Sequence, residues 1–453
     1  MPRSASCCMV REILEKDMKT SVAIIGAGPA GTASAMFLKA HGIDSVIVEK
    51  EAFPRFHIGE SMTGECGASV RSLGLEEEML RCGFPVKRYA AVYGAKGTKW
   101  GLPVAGRDKD WNLFPQFTWQ VRRAEFDKLL LDTAISRGVG FVHGQVKEPI
   151  VGDDGSVQGL RVWAADGGAI DIHSEMVLDC SGQSTYLANV GVTGPKYVGN
   201  YDKQIAIFSQ ISGAIRDETP TPNDTLIFYQ KKHHWAWFIP LTDDTVSVGT
   251  VIPAAYFKDK NESKADFLKR ELRELNPDLT RRVADSTIVE QTRSIANYSY
   301  QVRNFTGKGF ICVGDAHRFV DPIYSFGLCI SFAEAKAAAD AVKNYLNGVG
   351  RDDPAPFAHY EREREGGIDI VEDMMDAFWE HPLGFAAVVR AHTDEMTDIF
   401  AGRLWERQPN VAIDKLRRML ERERAHAAES ANALPVGSRY HPERAHIWEH
   451  ETA

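Results

Sequence analysis

The glycines of Gly26-Ala27-Gly28-Pro29-Ala30-Gly31 follow the apolar stretch Val22-Ala23-Ile24-Ile25, and an acidic residue, Glu49, stands 18 positions after Gly31. These types in this order suit a nucleotide pyrophosphate. Gly26 permits a tight turn, Gly28 lets the backbone approach the anion, and Gly31 lets the next helix pack close to a sheet. The helix N-terminus then faces the phosphates, and Glu49 takes ribose hydroxyls. A second signal is Lys87, after the short run Gly83-Phe84-Pro85-Val86. An amine in apolar surroundings gives up its proton more readily and is a better nucleophile. The residues alone favour the plainer reading, an exposed surface lysine beside Arg88. A third signal is Trp235 with Trp237. On one strand they point the same way, as core aromatics or as the wall of a pocket.

The hydrophobic pattern places these groups. Residues 22–25, a small-residue helix to about residue 41, and residues 46–48 form a strand–helix–strand unit. A helical stretch is expected over residues 63–82, strands broken by turns over 84–119, and an amphipathic helix over 124–137. Residues 171–183 contain a strand that ends in Asp179-Cys180-Ser181-Gly182. Residues 203–252 alternate apolar and polar as an antiparallel sheet does. The strand 310–313 ends in Gly314-Asp315, an Ala-rich helix covers 331–347, and the chain beyond Gly350 is helical and charged.

With 453 residues, 44% hydrophobic and 25% charged, the chain has two to three domains' worth of ordinary globular composition. The net charge of −9 disfavours broad nucleic-acid binding. No apolar run reaches the roughly 18 residues of a membrane span. Seven cysteines without metal-type spacing fit a reduced, cytoplasmic setting, and no metal site is expected; the His- and Glu-bearing tail reads as solvated.

Several short motifs choose the cofactor. Gln120-Val121-Arg122-Arg123-Ala124-Glu125-Phe126-Asp127 resembles the x-R-x-x-F-D stretch of the large flavoprotein monooxygenase group, and Asp179–Gly182 and Gly314-Asp315 resemble its two later flavin-side turns. Trp235-Ala236-Trp237-Phe238-Ile239-Pro240 has the W-x-W-x-I-P form of flavin-dependent halogenases, with His234 where those enzymes often carry Gly. Phe319-Val320-Asp321-Pro322-Ile323-Tyr324-Ser325-Phe326-Gly327 has their F-x-x-P-x-x-S-x-G form. Phe53-Pro54-Arg55-Phe56-His57-Ile58-Gly59-Glu60-Ser61, Thr118–Arg123 and Gly314–Phe319 look most like the branch that acts on pyrrolyl groups thioester-linked to a carrier protein.

The resemblance implies an α/β fold. A Rossmann-like FAD-binding domain (residues 18–82, 120–190 and 300–347) would carry an inserted antiparallel-sheet substrate domain (83–119 and 191–299). A helical C-terminal part (348–425), an N-terminal extension (1–17) and a polar tail (426–453) would complete the chain. FAD would be held by Gly26, Gly28, Ala30 and Gly31, by Glu49 and Lys50, and by Arg55, Ile58, Gly59, Glu60 and Ser61. Arg123, Asp179, Gly182, Gly314, Asp315, Pro322 and Gly327 would complete that site. In the family, reduced FAD meets O₂ and forms a flavin hydroperoxide, chloride or bromide attacks it, and a lysine captures or orients the resulting hypohalous acid. Lys87 occupies the place of that lysine. Ser325, Phe326 and Gly327 would form the halide turn. Trp235 and Trp237 would part substrate from flavin. Helix spacing adds that Phe326 and Ile330, four residues apart, share a face; they would border the ring pocket and limit the number of halogens added, or else be core packing. The implied partners are a separate flavin reductase and a substrate-bearing acyl or peptidyl carrier protein, with no nucleic acid or membrane and with a homodimer as the candidate assembly. A halogenase of a free phenol, and an aromatic hydroxylase or reductase of the same fold, are the alternatives.

Overall fold

The computed structural model describes residues 17–94, 97–198, 204–218, 222–296, 299–406 and 410–428. The expected N-terminal extension lies outside them except for Asp17, which already belongs to the first strand; the expected polar tail lies outside them except for residues 426–428, which belong to the helix Val411–Ala428.

A parallel sheet forms the base. Its strands run side by side in the order Gly140–Val151, Ser45–Glu49, Asp17–Ile25, Ala169–Asp179 and Phe310–Cys312. The chain starts in the middle of this row and leaves it to both sides, so a crevice opens at the carboxyl ends of the strands, where ligands bind in such sheets. Register makes those ends coincide: Ile25 pairs with Val48 on one side and with Asp179 on the other. The far halves of Gly140–Val151 and Ala169–Asp179 pair antiparallel with Val157–Ala164. Helices Pro29–Ala40, Arg123–Ser136 and Gly327–Leu346 bring Ala33, Leu130, Phe332 and Ala335 into the core beneath the sheet.

A second sheet covers the crevice. Gln204–Ser212, Val246–Pro253, His234–Pro240 and Thr225–Lys231 are antiparallel neighbours. Beyond them Tyr89–Tyr93 pairs with Thr225–Lys231 in parallel, and Lys99–Pro103 closes that side. The parallel pair departs from the all-antiparallel expectation. These two strands come from segments more than a hundred residues apart, so no hairpin turn sets their direction. Alternation sorts the faces. Trp235, Trp237 and Ile239 join an apolar cluster shared with the C-terminal helices, while Ala236 and Phe238 join the opposite cluster under the helices Lys264–Glu274 and Pro277–Val283.

Two helix boundaries differ from expectation. The stretch 63–82 is two helices, Gly64–Ser72 and Glu76–Arg81, because Gly74 adopts a φ of +69°, a left-handed conformation that ends a helix. The Ala-rich helix starts earlier than expected, at Gly327.

Candidate functional site

The fingerprint glycines occupy the tight places. A Cβ on Gly26, at φ +100°, would meet the Cys180 carbonyl oxygen at 2.6 Å, and one on Gly31 would lie 2.0 Å from the Gly26 carbonyl oxygen. On Gly28 the nearest neighbour would be an Arg55 guanidinium nitrogen at 3.6 Å, so the space beside it is open. The helix that follows has no side-chain cap, and its first residues face a cavity of about 450 Å³. That cavity runs from Gly26, Gly28 and Ala30, past Glu49 and Lys50, to Trp235, Trp237, Pro322, Ser325 and Gly327. A long cleft with an uncapped helix N-terminus at one end fits a dinucleotide such as FAD.

Charged groups shape the cleft. Both oxygens of Glu49 accept backbone N–H groups, Ala27 N to Oε2 and Glu51 N to Oε1, each at 2.8 Å; the carboxylate thus sets the turn as well as facing the cavity. Arg123 grips Asp127 at 2.7 and 3.0 Å and donates to the carbonyls of Ile58 and Gly59. Arg55 reaches Asp127 as well, at 3.0 Å. Two arginines on one buried carboxylate fix the strap that carries Arg55, Ile58, Gly59, Glu60 and Ser61 along the cavity. Asp127 was quoted in the motif, yet its role as the shared anchor needed the fold. Burial pushes the carboxyls of Glu60 and Asp315 up to about 7, and Glu60 Oε2 has no hydrogen-bond partner among the described residues. Ser247 and Gln210 hydrogen-bond the Glu60 carboxyl, and the remaining oxygen leaves capacity for one more donor beside the cavity that Glu60 lines.

Four expected contacts fall elsewhere. Asp179 is fully buried, where its oxygens accept from Ser181 N at 3.0 Å and Leu187 N at 2.7 Å; it holds the turn whose Ser181 and Gly182 reach the cavity. Gly314, at φ +66°, donates its N–H to Glu334 and lets Asp315 sit at the cavity edge. Phe326 and Ile330 are buried in the apolar cluster that joins Trp235 and Trp237 to Val371, Met374 and Phe378 of the C-terminal helices, and neither lines the cavity. Four residues apart, they share one helix face, and that face is core packing, the alternative to a place in the ring pocket. Ser325 and Gly327 do line the cavity; Ser325 has φ +63°, and a Cβ on Gly327 would meet nothing within 4 Å. The uncapped N-terminus of a 20-residue helix therefore opens there, a favourable place for an anion.

Lys87 is 4% exposed and lies in a second, smaller chamber of about 40 Å³, room for a species the size of a few water molecules. Trp100, Leu102, Tyr324 and Phe400 wall the chamber; Thr225, Ile227 and Ser325 belong to both spaces. Lys87 Nζ donates to Ser61 Oγ and to the Met62 carbonyl, each at 2.9 Å. Three distant segments are laced together to hold it: Lys87 pairs with Thr118, and Ser61 bridges Gln120. Burial lowers the amine from the ordinary 10.5 to about 8, against an upward pull from Asp224. The hydroxyl of Thr225, which nothing in the sequence singled out, accepts from Gln120 Nε2 at 2.8 Å and meets Ser61 Oγ at 2.7 Å. His317 and His234 take structural places, the first against Glu334 at 2.7 Å and the second on a sheet face away from the cavity.

Among the described residues no group of three or more His, Cys, Asp or Glu is placed to hold a metal ion, and no helix is long and apolar enough to cross a membrane.

Comparison with known proteins agrees with this geometry. Residues 19–375 match the FAD binding domain family. The chain is 37% identical, over 80% of its own length and 86% of the relative's, to the 1H-pyrrole-2-carbonyl-[peptidyl-carrier protein] brominase of Pseudoalteromonas luteoviolacea. It is 27% identical, over 89% of its length and 94% of the relative's, to the corresponding chlorinase of Pseudomonas fluorescens. The solved structure of the flavin-dependent brominase Bmp2 superposes with a TM-score of 0.84 at 33% identity, covering 90% of this chain and all of that one. A strand-end cleft fit for a dinucleotide, a lysine chamber beside it and matches of this extent lead to one conclusion: the chain belongs to the FAD-binding-domain family and, within it, to the flavin-dependent halogenases.

Proposed function

We propose that this enzyme halogenates a pyrrole-2-carbonyl group carried as a thioester on a carrier protein, with FAD reduced by a separate flavin reductase. The observation that carries the reading is the buried Lys87 in a small chamber that shares Thr225, Ile227 and Ser325 with the cofactor cleft. FAD, when bound and reduced, supplies the oxidising chemistry that turns O₂ and a halide ion into hypohalous acid. The chain's own residues do the rest. The helix start at Ser325 and Gly327 attracts the halide. Trp235 and Trp237, with ring centroids 5.9 Å apart, line the cleft wall and keep the ring to be halogenated from the cofactor. Lys87, its proton loosened by burial, captures or orients the oxidant inside the apolar chamber. The similarity to brominase and chlorinase of carrier-bound pyrrole supports the tethered substrate. The five described cysteines are unpaired, in keeping with a reducing cytoplasm.

Mass spectrometry of pyrrolyl-carrier protein, incubated with enzyme, FAD, a flavin reductase, NADPH and halide, tests the reading. Halide-dependent exchange of ring hydrogens on the tethered substrate is expected. Halogenation of free pyrrole-2-carboxylate or a free phenol, with the tethered substrate untouched, would overturn it. Without the reductase, NADPH oxidation should stay at the buffer rate, because one Gly-x-Gly-x-x-Gly fingerprint serves one dinucleotide.

A further inference from the structure

The hydroxyls around Lys87 form a line with a definite direction. Gln120 Nε2 donates both to the Asn223 carbonyl at 3.0 Å and to Thr225 Oγ1 at 2.8 Å. A carbonyl can only accept, so the amide orientation is fixed and Thr225 must accept from Gln120. Thr225 Oγ1 lies 2.7 Å from Ser61 Oγ, and Ser61 Oγ accepts from Lys87 Nζ at 2.9 Å. With Lys87 as ammonium, each hydroxyl then has one consistent role. Ser61 accepts from Lys87 and donates to Thr225. Thr225 accepts from Ser61 and from Gln120, and its own O–H is left for the two spaces that Thr225 lines, of which the cofactor-side cavity is the larger. Thr225 and Ser61 both line that cavity. Lys87 itself faces the smaller chamber.

We propose that Ser61 and Thr225 are positioning residues that relay the Lys87 proton out of the chamber into water of the cofactor-side cavity. This rests on the reading of Lys87 as the amine that meets the oxidant. The atoms balance. The ammonium gives a proton to Ser61 Oγ, Ser61 gives its own to Thr225 Oγ1, and Thr225 gives its own to a cavity water. Afterwards Thr225 donates to Ser61 and Ser61 donates to the amine lone pair, while the Gln120 bond is unchanged. The free amine can then attack hypohalous acid at the halogen, forming an N–halogen bond and releasing water. The line matters because Ser61 and Thr225 reach the large cofactor-side cavity, which Lys87 itself does not line. The other ionisable groups acting on Lys87 are Asp224, whose carboxylate favours the ammonium, and Cys66, whose thiol is pushed well above its ordinary value by burial and stays neutral. Neither belongs to the line from Ser61 to Thr225.

Thr225→Val keeps the side-chain shape and removes the hydroxyl, while Thr225→Ser keeps the hydroxyl. The assay is halogenation of pyrrolyl-carrier protein by the FAD-loaded full chain with reductase, from pH 6 to pH 10, with flavin absorbance to confirm cofactor binding. For T225V a loss of about 10- to 100-fold is expected below pH 8, at or under the low end of what placed proton-transfer groups contribute. The loss should shrink toward pH 10, where the amine is already free, and T225S should restore the wild-type profile. A T225V loss equal at every pH, no loss at any pH, or failure of T225S to rescue would overturn the relay. Lys87→Ala separates the two levels. If it stays active, the lysine reading falls; if it is inactive while T225V matches wild type, the relay alone falls.

Discussion

Replacing Lys87 with methionine should make the protein more stable near neutral pH while abolishing halogenation, and the sign should reverse in alkali. In the folded protein burial lowers the amine to about 8, whereas an unfolded chain holds it near 10.5. Keeping it charged in the folded state therefore costs roughly 3 kcal/mol at neutral pH, from 1.36 kcal/mol per pH unit of that gap. Methionine removes this cost and fills similar volume. It also forfeits the bonds to Ser61 and Met62 and leaves the Met62 carbonyl without that donor, a loss of about 1–3 kcal/mol. The net effect at pH 7 is a gain of roughly 0–2 kcal/mol. Between about pH 8 and 10.5 the unfolded chain binds more protons at this position than the folded one, so the wild type gains stability as pH rises and the variant lacks that gain. By pH 10.5 the variant should be the less stable of the two. Urea unfolding of the apo proteins at pH 7 and pH 10 measures the crossover, and product mass measures activity. A Lys87→Met variant less stable than wild type at pH 7, with the same pH slope, would refute the picture of a buried cation. A rate above about a tenth of wild type, a loss under ~1.4 kcal/mol in the barrier, would refute its part in the reaction.

Burial raises the Glu60 carboxyl from 4.5 to about 7, so its share of stability is present below pH 4.5 and is lost as pH rises through 7; Glu60→Gln should make the apo protein more stable at pH 8 and change little at pH 4, as read by thermal melts. Gly31→Ala places a Cβ 2.0 Å from the Gly26 carbonyl oxygen, and since backbone must shift, flavin retention after gel filtration should be lost together with about 1–3 kcal/mol of stability. Ile330→Ala should cost about 2–5 kcal/mol by opening a void in the core and leave the number of halogens per product unchanged, because Ile330 lines neither chamber; a shift toward more halogens by mass would restore it to the substrate pocket.

Much of this protein was legible along the chain. The strand–turn–helix at 22–40, its glycines, Glu49 and the strap residues could be read because each depends on neighbours a few positions away. A tight turn demands Gly26 and close packing demands Gly31 whatever else the chain does. Alternation along residues 235–239 likewise told which side chains share a face. Which partner that face meets was not written there, because it depends on contacts between distant segments. All four belong to the apolar cluster shared with the C-terminal helices, yet Trp235 and Trp237 also line the cofactor cleft, whereas Phe326 and Ile330, equally apolar and equally well spaced, do not. The surroundings of Lys87 are the clearest case. Ser61, Gln120 and Thr225 lie 26, 33 and 138 residues away in sequence, and no local pattern marks Thr225. Strand pairing between residues 61 and 120, between 87 and 118, and between 90 and 225 brings them within hydrogen-bonding distance. The sequence alone decided that a dinucleotide turn and a lysine would be present. Tertiary packing decided that the lysine is buried, desolvated and tied to a line of hydroxyls, because burial and long-range pairing belong to the folded chain as a whole.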